Sequence, residues 1–370
     1  MNSRQAQILC LVLAVAFLIA GWWPFEPFPH NRVSWLGDRP GLSFAPPGIA
    51  YDAEPLPVPA AGPSDDATPG MAIELSLEPA MEPTNRVSHI LTIHDGQIPS
   101  SLAIVQWKSE LLVRVPASGN PRGFREIGIG ALRTHEAHNI VISSDSTATT
   151  FYVDGRLSLR VPKFVLGPET TRGRLLLGNA ATGKSAWSGK LFGVAIFNRA
   201  LAAKDASIHQ QIWTQGNSHA LSREPGLAAL YSFTEGGGQR ARDGSPAQHT
   251  LLIPSRSVVL QKTVLDRPAN VIPRNWHATR DVLLNVVGFV PFGVFAFLSH
   301  HRPSYVRRVR AAITATLAGA AVSLIIELGQ VWLPSRYSTV LDLICNTAGT
   351  AIGVLLCWMV SSRRHRPGTV

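Results

Sequence analysis

The chain has 370 residues, of which 45% are hydrophobic and only 16% charged, and it carries a formal net charge of +10 with a pI near 10.1. A charged fraction well below the usual quarter argues against a wholly soluble chain, and the absence of charge runs or biased tracts argues against disorder. The positive excess fits either a nucleic-acid footprint or loop arginines that orient a membrane protein, and where the charges sit decides between them.

The first element is the uncharged run 7–23 (QILCLVLAVAFLIAGWW) behind a short head containing Arg4. Leu18-Ile19-Ala20 fails the small-x-small cleavage pattern, Ala14-Val15-Ala16 leaves too short an apolar region, and Leu9 before Cys10 disfavours a lipoprotein site. The run therefore reads as an uncleaved spanning helix, with Trp22, Trp23 and Phe25 at headgroup level. Residues 24–70 are rich in proline, which suits an extended link or a sheet-edge path.

From Met71 the pattern has period two, beginning with Met71-Ala72-Ile73-Glu74-Leu75-Ser76-Leu77. Short apolar segments follow at 89–94, 102–107, 111–115, 139–143, 150–153, 156–160, 174–177, 191–197, 227–233 and 257–260, separated by Gly, Pro, Asn and Asp turns. This spacing predicts an all-β sandwich. Asp154-Gly155 between two strand-like runs predicts a type I′ hairpin, because both central residues of that turn need positive φ. Three further runs, 281–299, 311–331 and 339–360, are each close to the roughly 20 residues that cross a bilayer.

The head, the loop 300–310 and the tail hold Arg4, Arg302, Arg307, Arg308, Arg310, Arg363, Arg364 and Arg366 with no acid, which accounts for eight of the ten net charges. With four crossings these segments share one side, and the positive-inside rule places both termini in the cytoplasm. The interval 24–270, with 23 basic and 21 acidic residues, then lies outside, and nucleic acid drops out as a partner. Cys10, Cys345 and Cys357 all fall in apolar runs, so the external interval has no disulfide framework.

His138-Asn139-Ile140-Val141-Ile142-Ser143 through Phe151-Tyr152-Val153-Asp154-Gly155, then Leu175-Leu176-Leu177-Gly178-Asn179 and the stretch Trp187 to Leu201, resemble the concanavalin A-like, laminin-G-like jelly rolls over roughly 40–260. Leu230-Tyr231-Ser232-Phe233-Thr234-Glu235-Gly236-Gly237-Gly238 resembles a strand and turn that many relatives carry at the domain start. That fold hosts carbohydrate binding, protein binding and glucanase activity, so the resemblance implies extracytoplasmic recognition and no single function. The glucanase version needs paired carboxylates about 5 to 5.5 Å apart. Glu74, Glu78 and Glu82, interrupted by Pro79 and Pro83, do not supply the E-x-D-x-x-E run typical of those relatives. Asp145, Asp154 and Asp243 occupy turns that in some relatives approach calcium, while Asp favours turns for local backbone reasons as well. His135-Glu136-Ala137-His138 lacks the spacing of H-E-x-x-H and reads as loop.

Ionisable groups inside membrane helices are costly unless paired or facing a cavity, so they mark the place to look for function. Asp281 and Asn285 lie one turn apart, Glu327 and Gln330 close the third run, Arg336 stands in the loop, and Asp342 and Asn346 open the fourth run. The topology brings all seven to the outer half of the bundle. Ala311, Ala315, Gly319 and Ser323 recur every four residues up to Glu327, and Gly349 with Gly353 form a small-xxx-small pair, so Glu327 should point into the bundle. Pro291 should kink the second run.

Asp281, Asn285, Phe289-Val290-Pro291-Phe292-Gly293, Glu327, Gln330, Arg336, Asp342, Asn346-Thr347, Gly349 and Gly353 together resemble the VanZ-like membrane family, with Thr339 where many members carry a second acid. The family is similar to proteins linked with glycopeptide (teicoplanin) resistance. The resulting expectation is a multidomain membrane protein with a jelly-roll sandwich inserted into an all-α four-helix bundle. The head and first helix occupy 1–23, a Pro-rich linker 24–39, the sandwich 40–262, a second linker 263–280, helices two to four 281–360 and a basic tail 361–370.

Functionally, Asp281, Asn285, Glu327, Gln330, Arg336, Asp342 and Asn346 would line an outward pocket for an envelope glycan or lipid-linked glycan. The sandwich would recognise glycan or envelope protein, with no cofactor or with calcium at Asp145, Asp154 and Asp243. Two alternatives stay open. One is an enzyme with Glu327 or Asp342 as base and Arg336 holding phosphate; the other is a membrane-anchored adhesion module. A bland reading has Arg336 paired with Glu327 or Asp342 and the amides joining helices.

Overall fold

The computed structural model describes residues 2–56, 68–80, 86–130, 132–266, 276–300 and 304–363. They fall into two compact units, Phe28–Gln261 and Met1–Pro27 with Lys262–Val370.

The first unit contains strands β1 (Val33–Trp35), β2 (Leu42–Phe44), β3 (Ala50–Asp52), β4 (Pro69–Pro79), β5 (Ser88–His94), β6 (Leu102–Trp107), β7 (Glu110–Pro116) and β8 (Phe124–Ile129). It continues with β9 (His138–Ser144), β10 (Ala148–Val153), β11 (Arg156–Pro162), β12 (Arg174–Leu177), β13 (Gly189–Arg199), β14 (Leu227–Tyr231), β15 (Arg240–Arg242) and β16 (Thr250–Leu252). Two antiparallel sheets result. One runs β1-β2-β13-β4-β9-β10-β11 with β14 also on β13, and the other runs β15-β16-β3-β12-β5-β6-β7-β8. Inward side chains of both sheets, among them Ile73, Leu75, Ile104, Ile142, Phe151, Leu175 and Ile196, form one core. Within it the buried Trp187 indole donates to Gln106 Oε1 at 2.7 Å.

Most of the expected strands are present. Asp154 and Gly155 take φ of +50° and +74° and join Val153 to Arg156, as the hairpin requires. The segment 257–260 is not a strand, whereas β1 lies inside the expected linker 24–39 and pairs with β2. Proline excludes helix there without excluding a short edge strand.

The alternation on β4 predicts one solvated face, yet Ala72, Glu74 and Ser76 are buried together with Ile73, Leu75 and Leu77. The cover is α1 (Ala203–Thr214), an element the β pattern does not announce. It lays Ala206, Ile212 and Trp213 over Ala72, Val141, Ala195 and Phe197. Gly193 makes this possible, because a Cβ there would collide with the Trp213 ring.

Among the described residues, the second unit holds four helices long and apolar enough to cross a membrane, consistent with a membrane protein. They are αA (Ser3–Trp22), αB (Trp276–Leu298), αC (Tyr305–Gln330) and αD (Val340–Arg363). A capping box starts αA: Asn2 Oδ1 accepts the Gln5 N–H at 2.8 Å and Gln5 Oε1 accepts the Asn2 N–H at 3.1 Å. On αC the ridge Ala311, Ala315, Gly319, Ser323 and Glu327 is buried, as its four-residue spacing implies. αB and αD approach most closely through glycines: a Cβ at Gly349 or Gly353 would strike the Val286 or Val290 carbonyl, and one at Gly293 the Thr350 carbonyl. Such contact supplies the dispersion attraction that lipid-embedded helices rely on. Pro291 sits on an exposed face of αB, which continues through it.

Candidate functional site

The polar residues of the bundle converge on the start of αD, and Thr339 is their hub. Thr339 immediately precedes the helix. Its Oγ1 accepts the Asp342 N–H at 3.0 Å, the bond expected of an N-cap, and donates to Asp342 Oδ2 at 2.9 Å. Its own backbone N–H is taken by Glu327 Oε2 of αC at 2.7 Å. Asn285 of αB donates to Asp342 Oδ1 at 2.6 Å. Three helices are thus joined through one cap, and both carboxylates lie where the positive end of the αD dipole favours negative charge.

One turn deeper, Asn346 Nδ2 donates to Ser323 Oγ at 3.0 Å, while the buried Asn346 Oδ1 has no hydrogen-bond partner among the described residues. Thr350 Oγ1 donates to the Asn346 carbonyl at 2.9 Å, directly over Gly319. The chain entering this unit is stitched to the same place. Asp266 N–H donates to Ser338 O at 2.9 Å, Asp266 O accepts from Val340 N–H at 3.0 Å, and Lys262 Nζ sits 3.1 Å from the Trp332 ring centre.

Of the seven residues expected to line a pocket, Asn285, Glu327 and Asp342 meet around Thr339, with Asn346 below them. The other three make no hydrogen bond to this cluster among the described residues. Asp281 is exposed at the beginning of αB. Gln330 Nε2 donates to Gly21 O at 3.1 Å, and Arg336 donates from Nε to Trp23 O at 3.0 Å and from Nη2 to Ala20 O at 3.3 Å. Arg336 therefore satisfies the terminal carbonyls of αA and pairs with neither Glu327 nor Asp342. The physical reason is that a helix end leaves four carbonyls unsatisfied, and a guanidinium serves several at once. The Trp22 indole completes this attachment by donating to Ile326 O at 3.1 Å, above Gly329.

In the sandwich, the three turn aspartates are each occupied locally. Asp145 Oδ1 accepts from Thr147 N–H, Thr147 Oγ1 and Ala148 N–H at 2.7, 2.6 and 2.9 Å, and the Thr147 bonds are the main cause holding its carboxyl below the ordinary value. Asp154 accepts from Asn139 N–H and His138 Nδ1 at 2.9 and 3.3 Å. Asp243 accepts from the Leu230, Ser245 and His249 N–H groups and from Ser245 Oγ. Among the described residues no group of three or more His, Cys, Asp or Glu side chains is arranged to hold a metal ion. Glu78 binds Arg39 and Lys190, and Glu82 lies outside the described residues.

Two buried polar groups went unread in the sequence. Glu74 on β4 accepts from His209 Nδ1 at 2.6 Å and Trp213 Nε1 at 2.9 Å, both on α1. Burial pulls the His209 imidazole down, but the Glu74 bond and the charges of Glu74, Glu224 and Asp205 outweigh it and raise the pKa above 6.5. Arg199 closes the network on Asp205 and Glu224 at 3.0 and 3.3 Å. The available signal was Ala206, His209 and Trp213 at helical spacing, a stripe with a polar member at its centre. Asp52 accepts the Tyr231 hydroxyl at 2.7 Å with its other oxygen unpartnered among the described residues, and burial pushes its carboxyl up to about 7.

Comparison with known proteins finds both resemblances. Residues 227–361 match the VanZ/LLP1 family model, and residues 106–207 match Laminin_G_3, described as the concanavalin A-like lectin/glucanases superfamily. The first match takes in β14 to β16 together with αB to αD and does not include αA. No curated protein sequence matches the chain. Among solved structures, a SAP-like pentraxin from Limulus polyphemus aligns at 10% identity and TM-score 0.33, covering 49% of this chain and 79% of that one. The Ruminococcus gnavus sialidase CBM40 bound to α2,3-sialyllactose aligns at 11% identity and TM-score 0.35, covering 46% and 97%. The binding domain of botulinum neurotoxin DC in complex with rat synaptotagmin II aligns at 10% and 0.35, covering 50% and 46%.

Proposed function

We propose that this is a cell-envelope membrane protein whose β-sandwich recognises an envelope glycan and whose helical unit anchors it and engages a lipid-linked form of that glycan. The observation that carries the reading is the joining, in one chain, of a segment matching the concanavalin A-like lectin/glucanases superfamily to membrane-crossing helices of which three fall in the VanZ/LLP1 match. The arginine-rich head, 300–310 loop and tail support cytoplasmic termini and an external sandwich. At the opposite end of the bundle, Asn285, Thr339 and Asp342 supply both donors and acceptors for a polyhydroxylated headgroup, and Glu327 holds Thr339 in place. The resemblance to proteins linked with teicoplanin resistance makes glycopeptide susceptibility the phenotype to score.

The deciding experiment exposes the full chain in detergent to an array of bacterial envelope glycans, neutral and acidic. Saturable binding to a subset is the expected result, and no binding to any glycan overturns the recognition reading. A reporter fused after Val370 should signal cytoplasm; an external signal overturns the orientation.

A further inference from the structure

The geometry points to a monosaccharide-binding cleft at one end of the sandwich, where the chain passes from β8 to β9, selective for neutral or amino sugars over acidic ones. The assignment rests on the glycan-recognition reading and gives it a location and a ligand class. The cleft has a volume of about 250 Å³ and is lined by Gly130, Arg133, Glu136, His138, Val153, Asp154 and Ser158. Pockets that enclose drug-sized ligands span about 300–1,000 Å³, so this one suits a single sugar ring at a chain end.

The walls are fixed before any ligand arrives. The crossing loop is tied down by Leu132 N–H to Ser109 O at 3.0 Å and by His135 N–H to Pro79 O at 2.7 Å. The His138 ring is held at both nitrogens: Nε2 accepts the Arg133 N–H at 3.3 Å, which leaves Nδ1 as the donor to Asp154 Oδ2 at 3.3 Å. The opposite Asp154 oxygen accepts the Asn139 N–H at 2.9 Å, and Arg133 Nη1 reaches Glu136 Oε2 at 3.4 Å. A prearranged site loses less ordering entropy when it binds.

The hydrogen-bonding capacity left over selects the ligand. A carboxylate accepts at about four sites and a guanidinium donates five bonds. Among the described residues Asp154 uses two of its sites and Arg133 one side-chain donor, with Glu136 Oε1 and the exposed Ser158 hydroxyl at hand. Donors and acceptors therefore alternate over a small concave surface, which matches adjacent hydroxyls that both donate and accept. Two carboxylates against one guanidinium disfavour a uronate, phosphate or sulfate. The lining contains no Phe, Tyr or Trp ring to stack a base, its one imidazole, His138, is held at both nitrogens, and only Val153 offers apolar contact for a peptide anchor.

The test uses the full chain in detergent and measures binding to neutral, amino and acidic glycans for the native protein and for Arg133→Ala, Glu136→Gln and Ser158→Trp. Arg133 and Glu136 are exposed, and unchanged thermal unfolding confirms that the variants fold. Each polar change should weaken neutral-glycan binding about tenfold, as loss of a charged hydrogen bond does, and Ser158→Trp should abolish it by filling the cleft. Native-level binding by all three variants overturns the cleft while leaving glycan recognition intact. Stronger binding of uronic-acid glycans than of neutral ones overturns the ligand class. No glycan binding by the native chain removes the recognition reading and the cleft together.

Discussion

Glu74 in the sandwich and Glu327 in the bundle are both about 1% exposed, yet they are held by different means. Glu74 faces an imidazole and an indole on a helix that covers a sheet, so its partners are side chains brought from far along the chain. Glu327 accepts a backbone N–H at the start of αD, a peptide group present whatever the side chain at that position. The difference teaches how each unit tolerates a buried carboxylate. The sandwich supplies side chains of a covering helix, and the bundle supplies, at Thr339, a helix terminus. Substitutions at the two sites should therefore fail in different ways.

The largest effect is expected for Glu74→Ala, which strands His209 and Trp213 against the sheet. Breaking a buried pair from one side typically costs about 3–5 kcal/mol. Hydrogen exchange of the full chain should show α1, residues 203–214, losing protection ahead of the sheets. If α1 keeps native protection, the network is not what docks it. At the start of αD, loss of the Thr339 N–H acceptor in Glu327→Ala should itself cost about 1–3 kcal/mol, read as faster exchange at the first turn of αD. Glu327→Gln keeps an oxygen for the Thr339 N–H and should restore most of that protection. Loss of protection in Glu327→Gln equal to that in Glu327→Ala would mean that charge, and not the acceptor, matters there.

The same comparison explains what was legible in the sequence. Glu327 could be placed inside the bundle because Ala311, Ala315, Gly319 and Ser323 lead to it at a fixed four-residue interval, and helix geometry does the rest. The hairpin at Asp154-Gly155 was legible for a similar reason, since its backbone demand falls on two adjacent residues. Thr339 read as a missing acid, because its role depends on a loop bringing αC and αD together, which no local pattern encodes. Arg336 read as a partner for acids, because counting charges ignores the unpaired carbonyls at the end of αA. Glu74 alternates as expected on β4, but nothing local announces its burial, since the covering helix lies more than a hundred residues further on.

The finest effect expected in the sandwich is the pH dependence of His209, the partner of Glu74. Because the folded His209 pKa lies above 6.5, the folded protein binds this proton more tightly than the unfolded chain does. Its contribution is complete below about pH 6.5 and is lost as pH rises through the raised folded value, at no more than about 1.4 kcal/mol per pH unit. Asp52, raised to about 7, loses its contribution in the same direction, from near its ordinary 3.8 up through 7. Asp52 lies on β3 in the other sheet, so the two can be separated by where protection fades. Exchange corrected for its intrinsic pH dependence should show α1 loosening as pH rises above 6.5. Removing the titration with His209→Gln should leave α1 less protected at pH 6 and flatten that rise. An α1 whose protection in the native chain is constant from pH 6 to 9 would make the Glu74 network a hydrogen-bonded fixture indifferent to the protonation of His209.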